Sequence, residues 1–599
     1  MSPVGSEGTS PEGSGSVDTS PAGSGAGTRA ELVARLTAPG GLFELVDTVV
    51  GGVPMRVYAG GPATLRELAL ASAAFGDRDF LVYESTRVSF AEHARTVAGL
   101  ARCLLEEYGL RPGERVAVAM RNYPEWAPIW YAALVAGLVV VPLNAWWTAD
   151  ELHYALADCG ARLVFADAER AALIAPELAD LGGLPLVEVR GTGPQAKGVR
   201  SWAELVASLD PAATVPDVEV SPGDDATILY TSGTTGRPKG AVATHRNHCT
   251  NVLNMRLGAV VSAALANGGQ VPVPDPAAPQ PGTLCTFPMF HIAGINALCG
   301  AAYAGTKLVT LYRWDRELAR ELIRRERLTL ASGVPTTMRQ LVEDAAEDPA
   351  PLATLASIGM GAAPIPPELV RRIGGTFDRL ISPTNGYGLT ETTSAVTTNI
   401  GADYLAHPDS VGRLVPTAEV LVVDPGSGDP VPEGEIGELW FRGPNVVRGY
   451  WNNPGATAAA FTDGWFHSGD LGRVEDGWVY VVDRLKDVVI RGGENIYCAE
   501  VEAALFEHPS VADVALVGVP DPSLGEEAVA VVVPRPGTVV GDAAASALRD
   551  HVAGRLAAFK VPRYVVFRAE PLPRTPTGKV LKRDLRVAVI SEVGADVRG

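Results

Sequence analysis

The sequence predicts an α/β protein: a large N-terminal domain of stacked sheets with flanking helices, joined by a hinge to a small α+β C-terminal domain. Short apolar runs alternate with stretches of helical spacing through most of the chain, which is typical of layered sheets and helices. Apolar residues make up 47% of 599, enough for a large core. Near residue 470 the composition changes, and Trp, Gly and Asp become frequent. We therefore expect a disordered Gly/Ser/Pro-rich tail over 1–29, the large domain over 30–485 and a small domain over 486–599.

The first half of the large domain contains three strand-like runs and two helical ones. The strand-like runs are RVAVAM (115–120), VVVPLN (139–144) and RLVFAD (162–167). Apolar positions over 91–109 and 148–160 recur at helical spacing. The alternation resumes later, through LTLASGVP (328–335), LASIGMGAAP (355–364) and RLISPTNGYG (379–388). These patterns favour parallel strands with helices on the sheet faces.

Two stretches could be misassigned. Residues 127–147, APIWYAALVAGLVVVPLNAWW, are long enough to span a membrane, but Gly137 and Pro142 interrupt them. We interpret them as a helix followed by a buried strand and expect no integral membrane segment. The Pro- and Gly-rich residues 264–283 are interpreted as a surface insertion.

The C-terminal region has its own pattern. After GWFHSGDLGRVEDGWVYVVDRLKD (464–487) come short strands and two helical stretches, enough for a compact domain of about a hundred residues. We place the domain boundary near Asp483–Asp487.

The net charge and the cysteine pattern indicate which classes of function and which cellular setting suit the protein. The net charge of -19 disfavours binding to a nucleic-acid backbone, although a local loop can still hold a nucleotide. No cysteines form a CxxC pair, and no signal peptide is visible. We therefore expect reduced thiols in a cytoplasmic protein. The cysteines are Cys103, Cys159, Cys249, Cys285, Cys299 and Cys498.

Residues 230–240, YTSGTTGRPKG, predict a phosphate-binding loop of backbone N–H groups, hydroxyls and a lysine. A Walker A loop does not fit, because Lys239 is followed by Gly240 rather than by Ser or Thr, and Pro238 precedes it. The sequence after the loop, GAVATH, alternates like a strand, so the loop connects two strands. A glycine-rich hairpin without a ligand is the alternative that the loop alone leaves open.

This loop resembles the signature of the adenylate-forming superfamily of acyl-CoA synthetases, firefly-luciferase-like enzymes and adenylation domains. The resemblance covers essentially the whole chain beyond the tail, with the family's motifs in order. Those motifs are MGAAP (360–364), NGYGLTET (385–392), GELWFRGPNVVRGYWNNP (437–454), GWFHSGDLG (464–472), DRLKDVVIRGGENI (483–496) and PRTPTGKVLKRDLR (573–586). It implies an enzyme that uses ATP and Mg²⁺ to convert a carboxylic acid to an acyl-AMP, releases pyrophosphate, and then passes the acyl group to a thiol such as CoA.

The resemblance also implies roles for particular residues. Lys579 would bridge the carboxylate and the α-phosphate, and Glu391 with Thr231 would hold Mg²⁺. Without the motif, Glu391 could simply be a helix-start carboxylate and Lys579 a solvated lysine. Asp470 would bind the ribose hydroxyls, supported by Arg484. The remaining residues implied to bind ATP or AMP are Ser232, Gly233, Thr234, Thr235, Gly236, Lys239, Gly361, Ala362, Ala363, Asn385, Gly386, Tyr387, Gly388 and Thr390.

A second set of residues is implied to form the acyl and CoA channel and the hinge. Lys486 is the implied hinge, about which the small domain would rotate and exchange Lys579 for Gly493 at the thiol tunnel. His291 could line the channel or be a satisfied core histidine. The other implied channel residues are Gly333, Val334, Met360 and Gly361.

The acid is expected to be hydrophobic. Residues 287–294, FPMFHIAG, lack the aspartate that marks amino-acid adenylation domains, and 332–338 is apolar and small. The motifs look most like bacterial fatty-acid–CoA ligases. The alternatives are an aryl-acid–CoA ligase and an acyl-AMP ligase that loads a carrier protein. A luciferase-like oxygenase, a degenerate binding protein and an ADP-forming kinase or synthetase are disfavoured. Ser468, Ala362 and Ala363 depart from the usual family residues.

Overall fold

The computed structural model describes residues 28–193, 198–231, 237–273, 275, 277–377, 381–575 and 578–596. The predicted disordered tail up to residue 27 and residues 232–236 of the predicted phosphate loop lie outside these ranges. The first helix begins at Arg29, within the range assigned to the tail. Its start is set by a capping box in which Thr28 and Glu31 satisfy each other's backbone N–H groups.

The described chain alternates helices and strands in the manner that the sequence predicts. The α-helices are α1 Arg29–Thr37, α2 Leu65–Ser72, α3 Phe90–Glu106, α4 Trp126–Val135, α5 Ala149–Cys159, α6 Ala168–Ile174, α7 Trp202–Ser208, α8 His245–Ala266, α9 Ile292–Ala304, α10 Arg316–Glu326, α11 Pro335–Glu347, α12 Pro367–Thr376, α13 Ala402–Ala406, α14 Pro454–Ala460, α15 Cys498–Phe506, α16 Asp542–Ala553 and α17 Lys582–Asp596. Short 3₁₀ turns occur at Ala73–Phe75, Ala175–Glu177, Ala350–Leu352, Thr390–Thr392 and Ala558–Lys560.

The strands form five sheets. They are β1 Leu45–Val50, β2 Val53–Tyr58, β3 Asp79–Tyr83, β4 Thr86–Ser89, β5 Arg115–Ala119, β6 Val139–Pro142, β7 Leu163–Asp167, β8 Leu186–Val189, β9 Val199–Ser201, β10 Asp225–Thr231, β11 Lys239–Thr244, β12 Gly282–Cys285, β13 Lys307–Thr310, β14 Leu330–Gly333, β15 Ser357–Met360, β16 Ser382–Leu389, β17 Ser394–Ile400, β18 Arg413–Leu414, β19 Glu419–Val423, β20 Gly437–Arg442, β21 Phe461–Thr462, β22 Trp465–Glu475, β23 Trp478–Arg484, β24 Val489–Arg491, β25 Glu494–Ile496, β26 Val511–Asp521, β27 Gly525–Pro534 and β28 Tyr564–Phe567.

Two large sheets dominate the N-terminal part. The seven-stranded sheet has the order β11-β10-β6-β5-β7-β8-β9, and the nine-stranded sheet has the order β18-β17-β16-β15-β14-β12-β13-β3-β4. Their central strands are parallel, whereas β11, β4, β17 and β18 pair antiparallel at the edges. A smaller antiparallel sheet of β19, β20, β21, β22 and β23 follows, and β1 pairs with β2. The predicted α/β class with stacked sheets is confirmed.

Helix α4 lies in the core that joins the two large sheets. Trp126, Trp130 and Tyr131 on this helix are fully buried, and the same core includes residues of β3, β5, β12 and β13. The stretch that was long enough for a membrane span is therefore a core helix followed by the buried strand β6, as predicted. Among the described residues, α8 is the helix long and apolar enough to cross a membrane, and most of it is packed inside the protein.

The small domain is built on the sheet β25-β24-β27-β26, with β28 beside β27. Apolar side chains cover both of its faces. Helix α17 on one face was not predicted. The predicted insertion over 264–283 is shorter than expected, because residues 264–266 continue α8 and residues 282–283 begin β12.

A buried carboxylate fastens the edge of the nine-stranded sheet. The side chain of Glu326, at the end of α10, is 1% exposed and lies 2.7 Å from Arg87, 3.0 Å from Arg325 and 3.4 Å from Lys307. Burial alone would raise the pKa of Glu326, but the hydrogen bonds from Arg87 and Arg325 outweigh it and hold the pKa below its usual value.

We expect Glu326→Gln to lower the thermal midpoint of the large domain by several degrees at pH 7, since breaking such a buried pair costs about 3 kcal/mol. A lowered carboxyl pKa contributes stability at neutral pH that is lost as pH falls through the folded-state value. The difference between the two proteins, measured by calorimetry, should therefore shrink as the pH falls from about 5 to about 3, because the unfolded carboxyl has a pKa of about 4.3 and the folded one titrates below it. A constant difference across that range would show that the charge of Glu326 does not matter.

Candidate active site

The candidate site lies where adjacent parallel strands end. Strands β12, β14, β15 and β16 are neighbours in the nine-stranded sheet, and their carboxyl ends share one edge. Gly333 pairs in register with Met360, and Met360 pairs with Asn385. Ligands in open α/β sheets bind at such an edge. Three segments that the sequence separates by about 25 residues each are thus brought side by side.

Close backbone approach explains two of the predicted glycines. A Cβ atom on Gly388 would lie 1.8 Å from the carbonyl oxygen of Ser394, and one on Gly333 would lie 2.0 Å from Oγ1 of Thr286. Neither position can carry a side chain without moving its neighbour. Ala362, in contrast, has a φ of +64°, so the alanine that departs from the family's usual glycine adopts a left-handed backbone conformation.

Tyr387, Asp470 and Arg484 are joined across two sheets by a hydrogen bond and an ion pair. The Tyr387 hydroxyl donates to Oδ2 of Asp470 at 2.6 Å, and Nε of Arg484 lies 3.0 Å from Oδ1 of the same carboxylate. Asp470 and Arg484 face each other because β22 and β23 pair them in register. Burial and the neighbouring Asp470 carboxylate raise the pKa of Tyr387 well above its ordinary value, so the phenol stays protonated.

Lys579 reaches this group from the small domain. Its loop closes through a hydrogen bond from the Thr575 N–H to the Lys579 carbonyl at 2.7 Å. The Cα of Gly578 faces Val334, because a Cβ built there would lie 3.5 Å from the Val334 side chain. Burial, followed by the charge of Arg484, lowers the pKa of Lys579 to about 7, against the opposing effect of Asp470. The predicted catalytic lysine is therefore placed beside the predicted ribose-binding residues.

Glu391 is buried in the 3₁₀ turn after β16. Its Oε1 accepts a hydrogen bond from the Tyr450 hydroxyl at 2.8 Å, and burial raises its pKa. The ammonium of Lys239 lies 5.2 Å from the centre of the Tyr450 ring. Tyr450 thus stands between the end of the predicted phosphate loop and the predicted metal ligand. It lies in the quoted motif 437–454, but no role was assigned to it from the sequence.

The phosphate loop joins two antiparallel strands, as predicted. Thr231 ends β10 and pairs with Lys239 at the start of β11. The Thr231 hydroxyl points back to the Lys239 carbonyl oxygen at 3.4 Å. The chain then enters α8 only at His245, so no helix N-terminus directly follows the loop as it does in a Walker A motif.

The described residues include no group of three or more His, Cys, Asp or Glu side chains that could cage a metal. A carboxylate at Glu391 and a hydroxyl at Thr231 nevertheless suit Mg²⁺, which prefers oxygen ligands and is usually bound through one or two protein groups plus substrate phosphates. The donor set fits a magnesium ion that arrives with a polyphosphate.

His291 lies in the segment after β12 and caps the start of helix α9. Its Nδ1 accepts a hydrogen bond from the Ala293 N–H at 3.2 Å at the start of α9, and burial lowers its pKa to about 4, so it is neutral. The preceding loop is held by Asn122, which donates to the Phe287 carbonyl at 2.9 Å and accepts from the Met289 N–H at 2.8 Å. The sequence reasoning missed Asn122, because these contacts span more than 160 residues.

The predicted hinge falls between two sheets. Lys486, the predicted hinge residue, lies in the segment 485–488 that connects β23 to β24. Asp483, just before this segment, is buried and accepts hydrogen bonds from the N–H groups of Arg484 and of Ala499 in α15. Gly493 is in the turn between β24 and β25 with a φ of +90°.

Comparison with known proteins places the chain among enzymes that share this architecture. The family model described as AMP-binding enzyme matches residues 68–451, and the model of its C-terminal domain matches residues 500–579. A feruloyl-CoA synthase from Amycolatopsis is 38% identical over 84% of this chain and 94% of its own length. A long-chain-fatty-acid–CoA ligase from Mycobacterium tuberculosis is 34% identical over 84% and 93%. The crystal structure of ATP-bound MatB from Rhodopseudomonas palustris superposes with a TM-score of 0.75 at 30% identity, covering 88% of this chain and 99% of MatB.

We expect Lys579 to react with a small amine-acylating reagent in its neutral form from about pH 7 upward, because its lowered pKa leaves it deprotonated there. Lys582 is the internal control. Burial opposes its charge, but Glu502 at 2.8 Å outweighs burial and raises its pKa. Competitive labelling followed by mass spectrometry should give a midpoint near pH 7 for Lys579 and little labelling of Lys582 up to pH 10. A midpoint near 10 for Lys579 would contradict this environment.

Proposed function

This chain belongs to the AMP-binding enzyme family, and we propose that it activates a hydrophobic carboxylic acid with ATP and transfers the acyl group to CoA. The observation that carries the proposal is the position of Lys579. The amine of Lys579, from the small domain, feels the charges of Arg484 and Asp470, which form an ion pair with each other.

In the first step a carboxylate oxygen of the acid attacks the α-phosphorus of ATP. The bond from that phosphorus to the oxygen bridging the β-phosphorus breaks, and pyrophosphate leaves. Two anions must approach each other, so the step depends on positive charge and orientation more than on proton transfer. We assign that charge to Lys579. Its pKa near 7 in the free protein will rise beside the phosphates, since a nearby anion favours the protonated amine.

We assign the nucleoside to the group around Asp470. The Asp470 oxygens would accept hydrogen bonds from the ribose hydroxyls, with Arg484 supporting the carboxylate. The Tyr387 hydroxyl, which donates to Asp470 at 2.6 Å, would yield to the ribose, and its ring would lie against the adenine. The backbone of 361–363 and the residues Asn385, Gly386, Gly388 and Thr390 would complete this surface.

We assign the phosphates to Thr231, residues 232–236 and Lys239, with Glu391 and Thr231 as ligands of Mg²⁺. When bound, this ion would neutralise charge that develops on the phosphate oxygens. The Tyr450 hydroxyl donates to Oε1 of Glu391 at 2.8 Å and would help to hold this carboxylate for the ion.

In the second step the thiol sulfur of CoA attacks the acyl carbon. The bond from that carbon to the phosphate oxygen breaks, AMP leaves, and the thiol proton passes to solvent. We propose that the small domain rotates about Lys486 between the two steps, withdrawing Lys579 and bringing Gly493 toward the thiol. Residues 485–488 are the connection that would absorb this change.

We infer an acid with an apolar tail and no second charge. Val334, Met360 and the loop before the neutral His291 supply the channel side of the edge. A fatty acid is our first candidate. An aryl acid is the second, because one of the relatives named above is a feruloyl-CoA synthase. Six free, buried cysteines support a reducing, cytoplasmic setting.

We expect an assay with Mg-ATP to yield AMP and pyrophosphate with octanoate, laurate, palmitate or ferulate, and acyl-CoA when CoA is added. A dicarboxylate such as glutarate should have a kcat/KM lower by about tenfold or more, since its second charge would be buried without a partner. Release of AMP without formation of acyl-CoA would instead point to a carrier-protein acceptor. A dicarboxylate as the best substrate would contradict the apolar channel.

Lys579→Ala should separate the two half-reactions. We expect the rate of acyl-AMP formation, measured as pyrophosphate release, to fall by about 10²- to 10³-fold, since a charge aimed at the transition state is lost. Conversion of added acyl-AMP and CoA to acyl-CoA should stay within a few-fold of wild type. Lys582→Ala, three residues away, is the control for disturbance of the small domain. Equal loss of both half-reactions in Lys579→Ala would remove the support for alternation.

A further inference from the structure

The turn that follows Glu391 is strained. Thr393 has a φ of +48° and Ser394 has a φ of +88°, so two successive residues with side chains adopt the left-handed region. Thr393 is β-branched, which makes this conformation a true outlier. Strain of this kind persists only where the surroundings impose it, and it concentrates at functional sites. Gly388 lies directly opposite, where a Cβ would meet the Ser394 carbonyl oxygen.

Two buried asparagines hold the turn on either side of the strained pair. Nδ2 of Asn445 donates to the Thr392 carbonyl at 2.9 Å, and Nδ2 of Asn251 donates to the Ala395 carbonyl at 3.1 Å. The two side chains are 0% and 1% exposed. They come from distant parts of the chain, since Asn251 is on α8 and Asn445 is in the loop after β20.

The same loop after β20 also holds Glu391 itself. The Val447 N–H donates to the Glu391 carbonyl at 2.9 Å, and the Tyr450 hydroxyl donates to its carboxylate. Helix α8 supports this loop in turn. Nδ2 of Asn247, one helical turn before Asn251, donates to the carbonyls of Pro444 and Val446 at 2.8 and 3.0 Å. One row of asparagines on α8 therefore supports the strained turn and the loop beside it.

We propose that Asn251 and Asn445 are positioning residues that fix the Glu391 carboxylate for its metal ion. The proposal rests on the metal role assigned to Glu391 above. Without either amide, a buried carbonyl next to the strained pair would lose its donor, and the turn could relax to an ordinary backbone conformation. Glu391 directly precedes Thr392, so this relaxation would displace its carboxylate.

The test is metal affinity rather than turnover. Mn²⁺ would be titrated into the full chain with a non-hydrolysable ATP analogue, and free Mn²⁺ would be followed by electron paramagnetic resonance. Asn251→Leu and Asn445→Leu keep the side-chain shape and remove the donor. We expect each to weaken Mn²⁺ binding by about tenfold or more, the usual effect of losing a group that orients a metal ligand.

Asn254→Leu is the matched control. Asn254 is on the same helix and equally buried, but it bonds to the Tyr58 hydroxyl at 2.6 Å and to Thr417 at 3.0 Å, away from Glu391. It should lower the thermal midpoint in a similar way and leave Mn²⁺ affinity within twofold of wild type. Equal weakening by all three variants, or by none, would overturn the proposal.

Two further variants keep the test decisive. Glu391→Gln should weaken Mn²⁺ binding. If it does not, the metal role of Glu391 fails, and the positioning role fails with it. Ser394→Gly combined with Asn445→Leu tests the turn directly, because glycine adopts the left-handed φ without strain and removes the tendency of the turn to relax. We expect it to restore most of the Mn²⁺ affinity that Asn445→Leu loses. Asp476→Gly, at a remote exposed turn with a φ of +50°, should restore none of that affinity. Failure of Ser394→Gly to restore Mn²⁺ affinity would overturn the proposal.

Discussion

An electrostatic imbalance at Lys579 links the small domain to the candidate site. Burial and the charge of Arg484 oppose protonation of the Lys579 amine, whereas the charge of Asp470 favours it. That carboxylate already lies 3.0 Å from Arg484 and accepts the Tyr387 hydroxyl. The surroundings therefore disfavour the charged form of the lysine, which is why its pKa falls to about 7. In the function proposed above, an anion at this position would relieve the imbalance, and the hinge would bring the small domain to it.

Local patterns in the sequence were sufficient for the fold class and for several of the central strands and helices. The runs at 115–120, 139–144 and 162–167 are β5, β6 and β7, because buried parallel strands give short continuous apolar runs. Pro238 and the alternating pattern after it predicted that the phosphate loop joins two strands. The strands β10 and β11 on either side of the loop confirm this. Helix α17 was missed, since it buries only a narrow apolar face against β26.

Only those residues of the candidate site to which a sequence motif assigns a role could be predicted. The resemblance named Lys579, Asp470 and Tyr387, and the structure brings them together. It did not name Tyr450, Asn122 or Asn445, because their importance comes from hydrogen bonds to residues far away in sequence. Asn122 touches Phe287, and Asn445 touches Thr392. A buried asparagine has no periodic signature, so only the tertiary structure reveals which carbonyl it satisfies.

The imbalance at Lys579 also gives the proposed alternation a physical cause. With a polyphosphate in the proposed site, the lysine would be attracted to it, and the loop at Gly578, which faces Val334, would keep the small domain there. Once pyrophosphate had left, most of that negative charge would be gone, while burial and Arg484 would still disfavour the charged lysine. The attraction that favours the first orientation would then be weaker. In the proposed reaction, the departure of the first product would itself release the small domain for the second step, without a separate signal.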